Sequence, residues 1–194
     1  NITGTLNVLL AARDNGIQRV VYAASSSAYG DQPTLPKVET MTPEPLSPYA
    51  IGKLAGEMYA QAFTRLYGLS TVSLRYFNIF GPRQDPTTQY AGVIAKFISC
   101  ALQGIPFPID GDGEQSRDFT YVENVVNVNL LAADAKLDGS PVINIAFGQR
   151  LTINQLATTL NELTRQNLAL AHGPARSGDV RHSHADISIA RKLL

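Results

Sequence analysis

Tyr49 and Lys53 stand four residues apart in the segment Tyr-Ala-Ile-Gly-Lys. In a helix this spacing places both side chains on one face, a single turn apart. A phenol with a pKa near ~10 is a poor base at neutral pH, but a nearby cation stabilises the phenolate and lowers that pKa. A shift of about 3 units requires about 4 kcal/mol, at ~1.36 kcal/mol per unit. The spacing therefore indicates a tyrosine acid/base assisted by a lysine, and it leaves open an exposed lysine beside a half-buried tyrosine.

Three hydroxyl side chains, Ser25, Ser26 and Ser27, follow the short apolar run Val-Val-Tyr-Ala-Ala at residues 20–24. A continuous apolar run of this length is typical of a parallel strand that is buried on both faces. In open α/β sheets, ligands bind beyond the carboxyl ends of the strands. We therefore expect the three serines to lie at the edge of an active site, where their hydroxyl groups can meet the phenol of Tyr49.

The elements that must position these residues follow from hydrophobic periodicity and from helix-capping residues. We expect helices at about 3–15, 49–67, 91–103, 123–136 and 152–165, a final helix capped by Asp186, and strands at 20–24, 71–77, 119–122 and 142–146. A proline-rich loop should fill residues 30–48, and residues 166–185 are polar and linker-like. The alternation of strands and helices predicts an α/β protein with a mainly parallel sheet.

The composition limits the classes of partner that the chain is expected to bind. Its 16 Lys and Arg residues balance 16 Asp and Glu residues, so no global field favours a nucleic acid or an acidic membrane, and any anion site must be local. No stretch approaches the ~18 apolar residues of a membrane span. The single cysteine, Cys100, lies in an apolar run and is expected to fill the core. A reducing, cytoplasmic setting is expected.

Five short motifs occur in a fixed order along nearly the whole chain, and they include the serine run and the tyrosine–lysine pair. They lie at residues 25–30, 47–53, 74–78, 81–85 and 111–119. Together they resemble the successive motifs of the extended short-chain dehydrogenase/reductases, the NAD-dependent epimerase/dehydratase family. Within that family, the chain most resembles the UDP-N-acetylglucosamine 4-epimerases.

The resemblance implies a division of the chain into two parts. Residues 1–77 would form the C-terminal half of a Rossmann-type, doubly wound NAD-binding domain. Residues 78–194 would form most of a smaller α/β domain that binds a nucleotide sugar, while residues 118–146 return to the Rossmann sheet. No G-x-G-x-x-G phosphate loop occurs in the chain. In the family that loop lies in the preceding half of the cofactor domain, which we therefore expect to lie outside this chain.

The resemblance also assigns catalytic and cofactor roles, with NAD as the cofactor. Tyr49 would be the acid/base, and Lys53 would bind the nicotinamide ribose and tune Tyr49. Ser25 would match the family's catalytic serine or threonine, with Ser26 beside the sugar. The residues expected to contact the cofactor are Tyr49, Lys53, Tyr76 and Phe77.

The substrate implied by the resemblance is a UDP-sugar. Arg117 and Arg176 would contact its phosphates and Asp179 the uridine ribose, although the segment 176–180 could also be a polar turn with an internal ion pair. Guanidinium groups supply paired, charged donors for phosphate oxygens. The full set of expected substrate residues is Ser25, Ser26, Asn78, Val93, Phe107, Ile109, Arg117, Arg176, Asp179 and Ser183.

The implied reaction is reversible oxidation at sugar C4, followed by reduction from the opposite face. Dehydratases of the superfamily carry Thr-Asp-Glu where this chain has three serines, so dehydration is not expected. Ser183 matches a gate beside the sugar C2 substituent, where a small side chain admits an acetamido group. This favours UDP-GlcNAc and UDP-GalNAc, and a surface serine without a role is the alternative. UDP-GlcNAcA/UDP-GalNAcA and UDP-Glc/UDP-Gal also remain open.

Three further expectations complete the sequence-based account. A noncatalytic UDP-sugar-binding fragment is the alternative of another class, because the glycine loop is missing from the chain. The helices at 3–15 and 49–67 correspond to the family's dimer helices, so we expect a homodimer. His182 and His184 lie close together without the pattern of a zinc site, and no metal is expected.

Overall fold

A computed structural model describes residues 1–88, 91–176 and 180–194. Its helices are α1 (Ile2–Asp14), α2 (Pro48–Tyr67), α3 (Val93–Gln103), α4 (Val122–Asp134), α5 (Ile153–Thr164) and α6 (Ser188–Leu193), with a 3₁₀ turn at Ser26–Tyr29. Its strands are β1 (Arg19–Ser25), β2 (Ser70–Tyr76), β3 (Ile79–Phe80), β4 (Phe107–Asp110), β5 (Ser116–Arg117), β6 (Thr120–Tyr121), β7 (Val142–Ile145), β8 (Leu151–Thr152) and β9 (Leu170–Gly173). Within the described ranges, no helix is long and apolar enough to cross a membrane.

A three-stranded parallel sheet joins two strands from the first half of the chain to one strand from the second half. Its order is β1-β2-β7, with Val21 opposite Val72 and Ser73 opposite Val142. Helix α2 connects β1 to β2, and α4 precedes β7, so each parallel pair has a helix in its connection. The predicted α/β class with a parallel sheet is confirmed. Because β7 pairs with β2, a late segment of the chain lies beside an early one.

Helix α2 begins and ends where its sequence predicts. The Ser47 side chain accepts a hydrogen bond from the Ala50 amide at 3.1 Å, and Pro48 occupies the first turn. Gly68 ends the helix in the left-handed conformation, with φ of 70°. Gly56 lies so close to Tyr22 of β1 that an added Cβ would come within 2.2 Å of the tyrosine oxygen. This close approach fixes α2 against the sheet.

In the second half of the chain, α3 and α5 pack with β4 in one core, and β4 pairs in parallel with β9. The rings of Phe97 and Phe107 stack at 4.7 Å between centroids in this core. The predicted linker at 166–185 is therefore wrong. Strand β9 lies within it, and the amide of Ser116 donates to the Arg181 carbonyl at 3.1 Å. All four β9 residues are exposed, so the strand is held by main-chain bonds and carries no apolar alternation.

The last helix begins slightly later than predicted. Asp186 is not its N-cap residue, because α6 starts at Ser188 and Ile187 precedes it. The Asp186 carboxylate still accepts a hydrogen bond from the Ser188 amide at 2.8 Å. The side chain therefore satisfies a first-turn donor from one position further upstream.

Candidate active site

The carboxyl ends of β1 and β2 lie side by side. Ser25, the last residue of β1, is in register with Tyr76, the last residue of β2. The chain leaves both strands at this edge, through Ser26 on one side and through Phe77 and Asn78 on the other. The edge is the place at which ligands bind in open α/β sheets.

A cleft with two cavities opens at this edge. The large cavity holds about 310 Å³ and the small cavity about 180 Å³, and Asn78 and Arg117 line both. Of the residues predicted from the sequence, Ser26, Phe77, Asn78, Arg117 and Ser183 line the small cavity. Asn78, Val93, Arg117 and Arg176 line the large cavity. Asp179 lies outside the described residues.

Asn78 and Ser183 meet although 105 positions separate them in the sequence. The Asn78 amide group donates to Ser183 Oγ at 3.1 Å and to the Asp118 carbonyl at 3.0 Å. Asn78 holds a φ of 34°, in the left-handed region, so its side chain turns away from the line of β2. Ser183 is half-buried at the wall of the small cavity. These contacts argue against a surface serine without partners.

Arg117 lies where the two cavities join. Its Nη1 donates to the Ser116 carbonyl at 2.9 Å and to the Arg181 carbonyl at 3.3 Å. A guanidinium offers five N–H donors in a rigid plane, so these two carbonyl contacts help to orient the group. Arg176 lines the large cavity at some distance along the chain. Both arginines therefore border the large cavity.

Tyr49 and Lys53 lie on the first turns of α2, beside β1. Lys53 Nζ donates to the Ala23 carbonyl at 2.9 Å, two residues before the end of the strand, or about 7 Å along it. The same nitrogen lies 5.9 Å from the centroid of the Tyr49 ring. Burial lowers the pKa of Lys53. Among the described residues, neither Tyr49 nor Lys53 is in the walls of the two cavities, and half of Tyr49 is exposed.

Ser25 is organised by its own serine run. Its Oγ accepts hydrogen bonds from the Ser27 amide at 3.2 Å and from the Ser27 hydroxyl at 2.9 Å. Because Ser25 is the acceptor in both, its own hydroxyl hydrogen can be donated to another group. Ser26, the next residue, lines the small cavity. The run thus connects the end of β1 to the cavity wall.

Two of the predicted cofactor contacts have packing roles in the structure. The Tyr76 hydroxyl donates to Asn129 Oδ1 of α4 at 2.9 Å, and burial raises the pKa of this tyrosine. Phe77 is buried against Tyr29, with ring centroids 6.2 Å apart. Contacts from either residue to a cofactor stay predictions.

Phe107 and Ile109 do not reach the cleft with their side chains. Both are buried in the core between α3 and α5, whereas Pro108 and Asp110 line the large cavity. The alternation of side chains along β4 causes this division. Contacts from Phe107 and Ile109 to the substrate stay predictions, and the burial of both side chains leaves their backbone groups as the candidates.

Asp118 is a buried residue that connects several segments next to the cleft. The sequence did not predict this role. The buried carboxylate of Asp118 accepts hydrogen bonds from the amides of Phe147, Gly148 and Ala185 at 3.0 to 3.2 Å. Burial raises its pKa, against the opposing effect of these amides. Its main-chain carbonyl also holds Asn78. The Arg-Asp-Phe motif marked this position, but nothing in the sequence indicated which backbone amides it binds.

His182 and His184 are each engaged by other groups. His182 Nδ1 lies 2.9 Å from Ser116 Oγ, and His184 Nε2 lies 3.3 Å from the Gly148 carbonyl oxygen. Among the described residues, no group of three His, Cys, Asp or Glu side chains is placed to hold a metal ion. Both histidines instead connect the segment after residue 180 to the body of the protein.

An exposed ion pair also holds this segment against the loop that contains Asp112. Arg181 binds Asp112 through two hydrogen bonds of 2.9 and 2.8 Å, and it lowers the pKa of that carboxyl to about 2. The pKa of Asp112 in the folded protein lies below the ~3.9 of an unfolded aspartate. The ion pair therefore contributes to the stability of the fold above pH ~4, and this contribution is lost as the pH falls through 2. We expect an NMR titration midpoint for Asp112 of about 2.

Arg181→Gln should return this midpoint towards the ordinary aspartate value of ~3.9, since it removes the largest cause of the shift. Arg65→Gln, which alters an exposed arginine on α2, is the control and should leave the midpoint unchanged. A wild-type midpoint near 4 would show that the pair does not form in solution.

Comparison with known proteins establishes the family. Residues 1–146 match the model of the NAD dependent epimerase/dehydratase family, so the chain belongs to that family. A putative UDP-glucose 4-epimerase of Methanocaldococcus jannaschii is 38% identical over 195 residues, which cover 100% of this chain and 62% of the relative.

Two solved structures share the architecture. The UDP-N-acetylglucosamine 4-epimerase of Methanobrevibacter ruminantium M1, in complex with UDP-N-acetylmuramic acid, is 44% identical with a TM-score of 0.95, covering 99% of this chain and 61% of that one. The UDP-glucuronic acid 4-epimerase of Bacillus cereus, in complex with UDP-glucuronic acid and NAD, is 30% identical with a TM-score of 0.91, covering 100% and 60%. The chain therefore spans about three fifths of the length of these relatives.

Proposed function

We propose that this chain is the part of an NAD-dependent UDP-sugar 4-epimerase that carries the acid/base and binds the UDP-sugar. One observation carries the proposal: Tyr49 and Lys53 lie beside the carboxyl end of β1, next to a cleft bordered by Arg117 and Arg176. The tyrosine supplies proton transfer and the arginines supply an anion site. The three relatives described above all bear the name of a UDP-sugar 4-epimerase.

The residues beside β1 fit NAD as the cofactor. Lys53 has three N–H donors, of which the Ala23 carbonyl takes one, so two remain for the hydroxyl groups of a ribose. Tyr49 is half-exposed and can approach both the ribose and a sugar hydroxyl. When bound, NAD⁺ accepts a hydride from sugar C4 and returns it.

In the proposed mechanism Tyr49 moves the proton of the sugar C4 hydroxyl. As a phenolate it takes that proton while the hydride leaves C4, giving a 4-keto sugar. The Lys53 ammonium stabilises the phenolate, and the Ser25 hydroxyl donates a hydrogen bond to the C4 oxygen. After the keto sugar has turned over in the cleft, Tyr49 would return the proton to the C4 oxygen, and reduction at the opposite face of the sugar would invert C4.

The cleft holds the rest of the substrate. Arg117 and Arg176 would bind the diphosphate through charge-assisted hydrogen bonds, and Asn78 lies beside them in the walls of both cavities. Val93 lines the large cavity with its apolar side chain, and Asp179 would bind the uridine ribose. Such a ligand extends from the large cavity, which takes the nucleotide, into the small cavity, which takes the sugar.

The sugar that fits best is an N-acetylhexosamine. Ser183 is small and lines the small cavity, so it leaves room for an acetamido group at C2. The Methanobrevibacter relative is named for UDP-N-acetylglucosamine, whereas other relatives are named for UDP-glucose and UDP-glucuronate. We expect the full-length protein to interconvert UDP-GlcNAc and UDP-GalNAc, and NMR of the anomeric protons would measure this conversion. If the protein converts neither this pair nor the UDP-glucose and UDP-glucuronate pairs, the proposed activity is refuted.

Ser183→Tyr should select against the acetamido substrate. A tyrosine ring in the small cavity would overlap the acetamido group, and overpacking of this kind costs about 1–3 kcal/mol, or roughly 5- to 150-fold in kcat/KM. Turnover of UDP-Glc should be affected much less. Ser183→Ala is the control and should keep the preference of the wild-type protein. If Ser183→Tyr lowers kcat/KM equally for both substrates, Ser183 does not determine which sugar is selected.

We also propose a homodimer through α1 and α2. Ile51 and Met58 are exposed apolar residues seven positions apart on α2, so they share one face, and Val8 is exposed on the neighbouring α1. Light scattering of the full-length protein tests this. If the chain exists alone, it would instead be a noncatalytic UDP-sugar binder, which mass spectrometry of the purified protein would reveal as a 20.9 kDa species without NAD.

A further inference from the structure

A single buried carboxylate joins the turn after β7 to the segment at 180–186. Asp118 is 0% exposed, and its Oδ1 accepts hydrogen bonds from the amides of Phe147 at 3.0 Å and Gly148 at 3.2 Å. Its Oδ2 accepts from the amides of Gly148 and Ala185, both at 3.2 Å. These bonds compensate the cost of burying the charge. Because every donor is a main-chain amide, the carboxylate fixes the backbone of both segments.

The wall of the small cavity is attached to the same residue. The Asp118 carbonyl accepts a hydrogen bond from Asn78 Nδ2 at 3.0 Å, and the same amide group donates to Ser183 Oγ at 3.1 Å. Ser183 also lies two residues before Ala185, which the carboxylate holds. Asn78 and Ser183 line the small cavity, whereas Asp118 is in the wall of neither cavity. Asp118 can therefore act on a ligand only through these neighbours.

The arginines of the cleft depend less on this carboxylate. Arg117 belongs to β5, whose pairing with β8 does not involve the Asp118 side chain. Arg176 lines the large cavity and lies well upstream of Ala185 in the chain. Loss of the carboxylate should therefore disturb the small cavity far more than the large cavity.

We propose that Asp118 is a positioning residue for the sugar, so that affinity for the sugar, and not affinity for the diphosphate, depends on its carboxylate. This rests on the proposed function, because it assumes that the small cavity holds the sugar and the large cavity the nucleotide. Asp118 holds Asn78 through its carbonyl, and it holds the segment that carries Ser183 through its carboxylate. It is separate from the Tyr49 and Lys53 pair.

Calorimetric titration of full-length Asp118→Asn with UDP-GlcNAc and with UDP tests this assignment. Asparagine keeps the shape of the side chain, but in either orientation its NH₂ group faces a main-chain N–H, because both carboxylate oxygens are acceptors. Binding of UDP-GlcNAc should weaken by roughly tenfold or more, the effect of one lost charge-assisted hydrogen bond. Binding of UDP should weaken by less than about threefold, because the arginines stay in place.

Asp186→Asn is the matched control. It makes the same change one residue beyond Ala185, but the Asp186 carboxylate accepts from the Ser188 amide at the start of α6, at 2.8 Å. Both affinities should stay unchanged in this variant. Equal weakening of UDP-GlcNAc and UDP in Asp118→Asn, or no weakening of either, would overturn the assignment.

Hydrogen exchange of the wild-type protein keeps the test decisive if Asp118→Asn does not fold. The amide hydrogens of Gly148 and Ala185 exchange only when their bonds to Asp118 open. Coupling between two sites is reciprocal, so saturating UDP-GlcNAc should slow this exchange more than saturating UDP does. Equal slowing by the two ligands would contradict the assignment. Failure of both ligands to bind would instead contradict the proposed function, whereas loss of epimerase activity alone would leave these binding results unchanged.

Discussion

Tyr49→Phe is expected to lower kcat for epimerisation by roughly 10²- to 10⁴-fold, the usual contribution of a positioned acid/base. The substitution keeps the ring beside Lys53 and removes the oxygen that would take the proton of the C4 hydroxyl. Affinity for the UDP-sugar should change little, because Tyr49 lies outside the walls of both cavities that the described residues define. Turnover and calorimetric titration of the full-length variant separate the two effects.

Tyr67 is a matched control for this experiment. It lies on the same helix and is 51% exposed, compared with 52% for Tyr49, but it packs against Phe63 at the far end of α2. Tyr67→Phe should keep full activity. Lys53→Met should lower kcat in the same direction as Tyr49→Phe, because it removes the cation that stabilises the phenolate. Full activity in Tyr49→Phe would mean that another group moves the proton.

Arg75→Met is expected to destabilise the fold by about 3–5 kcal/mol, the cost of breaking a buried ion pair. Arg75 of β2 and Glu57 of α2 are almost fully buried and are joined by hydrogen bonds of 3.0 and 2.6 Å. The Arg75 guanidinium also lies 4.7 Å from the centroid of the Tyr29 ring. Removing the arginine leaves a carboxylate buried without its partner. Urea denaturation followed by circular dichroism measures the loss.

The double variant Arg75→Met with Glu57→Leu is the control. Replacing a whole buried ion pair by apolar residues of similar volume is often neutral or stabilising, so the double variant should recover most of the stability that Arg75→Met loses. If the double variant loses as much free energy of unfolding as Arg75→Met and Glu57→Leu lose together, the two side chains do not act as a pair. Glu57 lies one turn beyond Lys53 on the same face of α2, so this pair also fixes how the helix presents Lys53 and Tyr49 to β1.

The parts of the fold with strong local signals could be predicted from the sequence. The serine and proline that begin α2, and the glycine that ends it, act within one turn of the chain, so no tertiary contact was needed to find them. The apolar run before Ser25 indicated the buried strand and its edge in the same way. The resemblance assigned both Asn78 and Ser183 to the substrate site, but their contact was not predicted, since no local rule joins residues so distant in sequence.

The remaining features depend on contacts that the sequence does not display. Strand β9 is exposed and held by main-chain bonds to β4, so it lacks the apolar alternation by which strands are recognised. Phe107 and Ile109 could not be separated from Pro108 and Asp110 until the face of β4 that packs on α3 was known. Lys37 lies in the proline-rich segment at 30–48, where no local pattern indicates a buried side chain, and only the fold buries it.

The fate of the hydrogen at sugar C4 tests the central claim most directly. If Tyr49 exchanges only the hydroxyl proton while the hydrogen bonded to C4 leaves and returns as a hydride, that hydrogen never meets the solvent. The full-length protein should therefore convert UDP-GlcNAc to UDP-GalNAc in D₂O without added cofactor, and proton NMR of the product should show the full H4 signal. Deuterium at C4 of the product would contradict the account.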